Sequence, residues 1–251
     1  MERKLKIKIY CFFILVLLFQ SSFSNALSTR KGHAAAHRRP FVQSAFWEDY
    51  SGTGYGTGVN VSFTKTITPG NFVLVFVTWN NTSARPTTVW DGTNTFTEVV
   101  SAYGADAGNG QWQAAYYYAN HPGGTSTIYA TWGSSRSYTA IQVVELKRID
   151  NTSPINCAIS QTQGTPGTAA NVISSSACTT NAETVVLGFT QATVDLSGTV
   201  TAGTSFTKKN TSDYAAFEYA HMSSTGSKAA TFTTTSTSNS YITSLVALKI
   251  R

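Results

Sequence analysis

Charged side chains are scarce in this sequence, making up 12% of its 251 residues, against about a quarter in typical soluble domains. The formal charge of +6 comes largely from its start, with four bases in the first eight residues and four more between residues 30 and 39. From Phe41 onward, ten bases face eleven acids. This balance gives no indication of a nucleic-acid surface, and the low charge favours a neutral polymer over an acidic one as a partner.

Cysteine is rare as well, with three residues in the chain. Cys11 lies inside an apolar run and lacks the small-residue box of a lipoprotein, so Cys157 and Cys178 remain for the folded part. In an exported protein, such an even pair most simply forms one disulfide. Neither cysteine has a second cysteine or a histidine at ligand spacing, which argues against a zinc site.

Catalytic signatures of hydrolases are also missing. The sequence has four scattered histidines and no Gly-x-Ser-x-Gly motif, which argues against a Ser/His/Asp hydrolase. A glycine-rich stretch, Ser51–Gly58, is followed by an alternating strand pattern and not by a helix. We therefore interpret it as a loop and not as a nucleotide-binding motif.

Long hydrophobic runs are absent except at the start, where four bases precede the apolar run Ile9–Phe19 and the small residues Ser24 and Ala26 flank Asn25. This pattern predicts a signal peptide over residues 1–26, cleaved after Ala26. No later stretch approaches the about 20 apolar residues of a transmembrane helix. We expect a secreted protein, extracellular or at the cell surface, without a transmembrane segment. Residues 27–40 are predicted to form a basic flexible arm.

What the sequence has in abundance is strand patterning. The stretch Asn71–Trp79 is a run of β-branched and aromatic residues after the turn signal Pro69-Gly70, which predicts a core strand covered on both faces. Similar short runs separated by Gly, Asn and Asp turns continue to Ile242–Ile250 at the C-terminus. The spacing predicts about a dozen strands and no convincing helix, hence an all-β antiparallel sandwich, jelly-roll-like, in one domain over residues 41–251. The length also allows two small β domains packed together.

The ordered motifs resemble those of a poorly characterised group of secreted bacterial β-sandwich modules. They run from the Gly70-Asn71 strand through the Asp91-Gly92 hairpin and Val144-Glu145-Leu146 to Asp150-Asn-Thr-Ser-Pro154. Because these are mostly core and turn positions, the resemblance implies a fold and export and no specific activity. Resemblance to the family 11 xylanases is weaker, because the substrate-gripping motifs associated with that family are absent.

The xylanase resemblance nevertheless implies a candidate pair of catalytic glutamates, Glu145 and Glu218, both flanked by apolar or aromatic residues. Retaining enzymes of that type place two carboxyl groups about 5 Å apart, and burial could keep one of them protonated. A strand glutamate that faces solvent is the alternative, and we favour it.

Two tight loops carry oxygen ligands that suit calcium, the one cofactor that the sequence leaves open. The candidate ligands are Asp91 with Asn94 and Asp106 with Asn109. The same residue types serve ordinary β-turns through local hydrogen bonds. We favour the turn interpretation, because no EF-hand-like run of acids is present.

Aromatic residues at predicted strand ends are the strongest indication of function. Trp90, Trp112, Trp132 and Tyr103 are the candidate ligand-binding residues, because flat rings with a polar tip stack well on sugar rings. The alternative is that each ring fills the core.

These patterns lead to three hypotheses: a non-catalytic module that binds a polysaccharide or another cell-surface polymer, a self-associating structural or adhesive subunit, and a glycoside hydrolase. The expected partner is a polymer and not a nucleic acid.

Overall fold

The computed structural model describes residues 39–49, 56–80, 83–100, 103–105, 110–163, 172–181, 183–192, 200–212, 214–234 and 241–251. The predicted signal peptide and nearly all of the predicted basic arm lie outside these ranges. Residues 40–251 form one compact unit. Within the described ranges every regular element is a β-strand and none is a helix, which confirms the predicted all-β antiparallel sandwich.

In the described residues nineteen strands follow one another along the chain: β1 (Phe41–Asp49), β2 (Gly58–Ser62), β3 (Phe72–Asn80), β4 (Thr88–Trp90), β5 (Thr97–Glu98), β6 (Gly104–Ala105), β7 (Gln111–Tyr118), β8 (Thr127–Thr131), β9 (Thr139–Leu146), β10 (Ile155–Gln163), β11 (Val172–Ser174), β12 (Cys178–Thr180), β13 (Thr184–Ala192), β14 (Thr201–Ala202), β15 (Thr207–Thr211), β16 (Ala215–Met222), β17 (Gly226–Lys228), β18 (Thr231–Thr233) and β19 (Tyr241–Lys249). Eleven of them have five or more residues, close to the dozen expected. The other eight have two or three residues, too few to show an alternating pattern.

Two large antiparallel sheets form the centre of the fold. The first has the strand order β1-β9-β3-β7-β5, with β6 also paired to β7, and the second has the order β10-β19-β13-β16-β15. One buried cluster joins them, including Phe72, Leu74 and Phe76 from β3 and Val185, Leu187 and Phe189 from β13. The inner faces of the two sheets therefore share one core, as in other sandwiches.

A small sheet covers the outer face of each large sheet. The sheet β2-β8-β4 packs on the first through a cluster that contains Val73, Val75 and Val77. The sheet β11-β18-β14 packs on the second through a cluster that contains Ile173 and Phe232. Because β3 is covered on both faces, eight of its nine residues are buried, as its unbroken apolar run predicts.

The two halves of the compact unit repeat one arrangement. Their long strands, β1, β3, β7 and β9 in the first half and β10, β13, β16 and β19 in the second, pair in the same order: first, fourth, second, third. In both β1 and β10 the pairing register shifts within the first three residues. Pro40 accepts a backbone hydrogen bond from Lys147, just after β9, and Pro154 accepts one from Lys249, at the end of β19. The equivalent rings Phe76 and Phe189 stack at 5.4 Å. The halves thus meet face to face through matching surfaces.

Candidate functional site

An aromatic cluster lies on the outer face of the first large sheet. Trp79 ends the buried run of β3 and is fully buried, and Trp112 faces it in register from the start of β7. The Trp79 ring packs against Trp132 at a centroid distance of 6.0 Å and against Tyr103 at 6.3 Å. Because the strands fix the backbone of Trp79 and Trp112, the cluster is held by the sheet and not by a loop alone.

The accessible part of this cluster is a stack of three groups. Tyr103 stacks on Trp112 with centroids 5.4 Å apart and planes inclined by 22°, and Arg85 lies over the Tyr103 ring at 3.9 Å. Tyr103 and Trp112 are both half-buried. We call Tyr103, Trp112 and Arg85 the aromatic ledge. Flat rings that are partly open to solvent and fixed in place offer a stacking surface at low entropic cost.

Polar contacts hold the aromatic ledge in position. The Tyr103 hydroxyl donates a hydrogen bond to the Ser83 carbonyl at 2.8 Å, and Arg85 pairs with Glu98 at 2.7 Å. Burial raises the pKa of the Tyr103 phenol, although the neighbouring Arg85 acts in the opposite direction. The phenol is therefore neutral at physiological pH and serves as a donor. The ion pair is partly exposed, so it orients Arg85 more than it stabilises the fold.

The other two predicted ligand-binding residues lie elsewhere. Trp132 is 3% exposed and packs beneath the ledge on Trp79. Trp90 is half-buried and packs on Tyr129 at 5.6 Å in the covering sheet β2-β8-β4. The structure therefore brings together Tyr103 and Trp112, places Trp132 in the core below them, and places Trp90 on a separate element.

Glu145 is fully buried on β9. Its Oε1 accepts hydrogen bonds from the Thr68 amide at 2.9 Å and from Asn71 Nδ2 at 2.6 Å, and its Oε2 accepts one from Gln43 Nε2. A cleft of ≈ 260 Å³ lies beside it, lined in part by Lys65. Because the carboxylate is buried and its donors come from β1 and from the segment just before β3, it joins these two segments to β9 and is not placed to attack a substrate.

Glu218 is also fully buried, on β16 in the second sheet. Its two oxygens each accept a backbone hydrogen bond at 2.9 Å, from Gly203 and from Thr231. Burial raises the pKa of Glu218 to about 7, although these two hydrogen bonds lower it. The side chain therefore ties the covering strands to the second sheet.

The two glutamates are not brought together. In β9 the neighbours of Glu145, Val144 and Leu146, belong to the central core, so Glu145 faces outward from the first sheet. In β16 the neighbour Phe217 belongs to the central core, so Glu218 faces outward from the second sheet. The whole central core separates them, which is not the arrangement of a glycosidase pair.

Asp91 forms a buried hydrogen-bonded turn. Its Oδ1 accepts the amides of Thr93 at 2.8 Å and Asn94 at 2.6 Å, and its Oδ2 accepts Asn94 Nδ2 at 2.8 Å and lies 2.6 Å from His121 Nε2. The Gly123 amide donates to His121 Nδ1, so the proton of a neutral His121 is on Nε2, directed at Asp91. The Asp91–His121 pair is not predicted from the sequence, where the available indication is the position of His121 beside the turn Pro122-Gly123-Gly124.

The Asp91 contacts favour the turn interpretation over the calcium one. Burial raises the pKa of Asp91, but the hydrogen bonds from Asn94, Thr93 and His121 outweigh it, and the pKa lies below its usual value. Donors already surround both oxygens. The second candidate pair, Asp106 and Asn109, lies outside the described residues. Among the described residues, no group of three or more His, Cys, Asp or Glu side chains could hold a metal ion.

Cys157 and Cys178 form a disulfide with a Cα–Cα distance of 6.3 Å, which confirms the predicted pairing. It links β10 to β12, at the edge of the second sheet. In the described part of the chain no helix is long and apolar enough to cross a membrane.

Comparison with known proteins provides no family. No family model matches the chain, and no curated protein matches it. Among solved structures, a conserved protein of unknown function from Pseudomonas aeruginosa PAO1 is 8% identical, covers 80% of this chain and 98% of its own, and has a TM-score of 0.30. The T=1 particle of Penaeus vannamei nodavirus is 10% identical, with 82% and 96% covered and a TM-score of 0.17. Oxalate decarboxylase from Bacillus subtilis is 6% identical, with 82% and 76% covered and a TM-score of 0.19.

Proposed function

We propose that this chain is a secreted, non-catalytic β-sandwich that binds a carbohydrate or another extracellular polymer on the aromatic ledge. The observation that carries the proposal is the stack of Arg85, Tyr103 and Trp112 on the outer face of the first sheet. Stacked, half-exposed rings beside an ion pair offer both an apolar face and directional polar groups, the combination that sugar rings require.

The glutamates give no support to a glycoside hydrolase, because each is buried, is held by hydrogen bonds and faces away from the other. A binding module needs no carboxylate pair. It needs a rigid surface, which the pairing of β6 with β7 provides by placing Ala105 opposite Trp112.

The test is to incubate the chain with a panel of insoluble polysaccharides and to assay each tube for bound protein and released reducing sugar. We expect binding without release. Release of sugar that is abolished in Glu145→Gln or Glu218→Gln would contradict the proposal and return the glutamates to a catalytic role. Absence of binding to every polymer, at protein concentrations that saturate typical modules, would contradict it as well.

A further inference from the structure

β1 is a long strand at the edge of the first large sheet. It runs over nine residues, Phe41–Asp49, and among the described residues β9 is the one strand that pairs with it. An edge strand presents a row of backbone N–H and C=O groups to whatever lies beside it. Natural proteins therefore usually shorten, charge, bend or cover such a strand, because it otherwise pairs with other chains.

The other three edges of the two large sheets carry such protection. At the far edge of the first sheet, β5 and β6 have two residues each. At one edge of the second sheet, β15 has the exposed lysines Lys208 and Lys209 and a register shift between Lys208 and Asn210. At its other edge, the short strand β12 is attached to β10 by the disulfide between Cys157 and Cys178.

The internal repeat makes β1 and β10 a matched pair of edge strands. In each of them the pairing register shifts around one residue, Val42 in β1 and Asn156 in β10. The Asn156 side chain accepts a hydrogen bond at 2.8 Å from the amide of Asn181, just after β12. Val42, in the equivalent position, is 40% exposed. Within the described residues, β1 therefore lacks an attached element like the one that its counterpart has.

The exposed surface of β1 is apolar. Three large hydrophobic side chains are exposed in the described residues, and two of them, Val42 and Trp47, lie on β1, which contains no lysine or arginine. Residues 28–38, which precede the strand, contain a single β-branched residue, Thr29, and no alternating pattern. Their sequence does not favour a strand that would cover β1. A strand from another molecule fits this edge.

The charges at the two ends of β1 suit a second copy of the same strand. Arg38 and Arg39 precede the strand in the sequence, and Glu48 and Asp49 end it. When two copies pair antiparallel about a two-fold axis, the start of each strand lies beside the end of the other. The basic start of one copy would then meet the acidic end of the other, twice in each pair. Parallel pairing would instead bring like charges together.

We propose that two copies of this chain form a dimer by antiparallel pairing of their β1 strands, which joins the two first sheets into one. Because a two-fold axis uses β1 of both copies, the assembly closes at two copies and does not grow into a filament. The aromatic ledge lies beside β6 and β7, near the opposite edge of the sheet. The dimer goes beyond the proposed function and does not depend on it, and pairing should leave the affinity of each ledge unchanged.

Sedimentation equilibrium of the full chain measures the dimer dissociation constant, and charges introduced at Val42 test the geometry. We expect Val42→Glu to raise this constant at least about tenfold, because each new carboxylate would lie near Glu48 and Asp49 of the second copy. Val42→Lys should raise it less than Val42→Glu does, because its charge has the opposite sign. Val100→Glu is the matched control: it changes the same residue type at an 82% exposed position outside β1 and should alter the constant less than about twofold.

A chain that stays monomeric at its highest soluble concentration would overturn the inference. So would a species whose mass keeps growing with concentration, because two-fold pairing closes at two copies. Equal losses in Val42→Glu and Val42→Lys would show that no acids lie opposite Val42, which contradicts antiparallel pairing. Equal losses in Val42→Glu and Val100→Glu would assign the effect to general repulsion and contradict an interface at β1.

Hydrogen exchange tests the same interface without a variant. In the dimer, the β1 amides that face away from β9 donate to the second copy, so their exchange should be at least about tenfold slower than in a dilute sample. Peptides from β10, to which β12 is attached, should exchange equally at both concentrations. Unchanged exchange in β1 over a concentration range in which the mass doubles would place the interface elsewhere and overturn the inference.

Discussion

The rings of Tyr103 and Trp112 stack with their centroids 5.4 Å apart. Tyr103 directly precedes β6, which pairs with the start of β7, so backbone hydrogen bonds set the distance between the two residues. The Tyr103 ring contacts Trp112, and Arg85 also lies over it. The stack is therefore ordered before any ligand binds. Binding to it therefore requires little loss of side-chain entropy, which is the physical basis of the proposed function.

Gly188 is a sensitive position in the second sheet. A Cβ built there would lie 2.5 Å from the Cβ of Ala230 and 3.1 Å from Glu218. We expect Gly188→Ala to lower the free energy of unfolding by about 1–3 kcal/mol, because a covering strand would have to move. Urea unfolding measures this. The control is Gly133→Ala, where a Cβ meets nothing within 4 Å and where stability should stay unchanged; equal effects of the two variants would refute the close packing.

Glu218 should make stability depend on pH. Its pKa is raised to about 7 in the fold, from 4.5 in the unfolded chain. The folded state therefore binds more protons than the unfolded state between these values, and the free energy of unfolding falls as pH rises from about 4.5 to about 7. The contribution is on the order of 3 kcal/mol, present in full at the acidic end.

Unfolding experiments across that pH range, on the unmodified chain and on Glu218→Gln, isolate this contribution. Residue 218 cannot titrate in the glutamine variant, so between pH 4.5 and about pH 7 the free energy of unfolding should fall less in Glu218→Gln than in the unmodified chain. Parallel pH profiles for the two proteins would show that Glu218 does not titrate in this window.

Asp91 and His121 should act as one structural unit. In Asp91→Asn an NH2 group replaces one of the two carboxylate oxygens. Because both oxygens accept hydrogen bonds, the NH2 group would face other donors, and we expect the free energy of unfolding to fall by about 2 kcal/mol. Asp150→Asn is the control, because Asp150 caps a similar turn through the amides of Thr152 and Ser153 but at the surface. The decrease in the free energy of unfolding should be clearly smaller in Asp150→Asn than in Asp91→Asn. A double-mutant cycle of Asp91→Asn with His121→Ala should show coupling; strictly additive effects would mean that the pair does not interact.

Parts of this fold follow from local patterns. The apolar run of β3 predicts burial on both faces, because only a strand between two layers lacks a polar side. The pairing of Cys157 with Cys178 follows from counting the cysteines that lie beyond the predicted signal peptide. The turn at Asp91 follows from its Asn and Gly neighbours.

The remaining features depend on topology that local patterns do not carry. Glu145 and Glu218 have similar surroundings in the sequence, yet the sheet in which each strand lies decides that they face opposite directions. The repeat of the two halves is only partly visible in the sequence: Phe76 and Phe189 are identical at one inner position, whereas Phe72 and Val185 share only apolar character at another. The ledge depends on β6, a strand of two residues that is too short to show a pattern in the sequence.

The most direct test of the central claim is the affinity of Trp112→Ala for the polysaccharide that the chain retains best. Trp47→Ala is the matched control, since Trp47 is 36% exposed on the same sheet but on the edge strand β1. With both variants shown to melt as folded proteins, we expect Trp112→Ala to bind at least about tenfold more weakly and Trp47→Ala to bind like the unmodified chain. Undiminished binding by Trp112→Ala would contradict the assignment of the aromatic ledge as the binding surface.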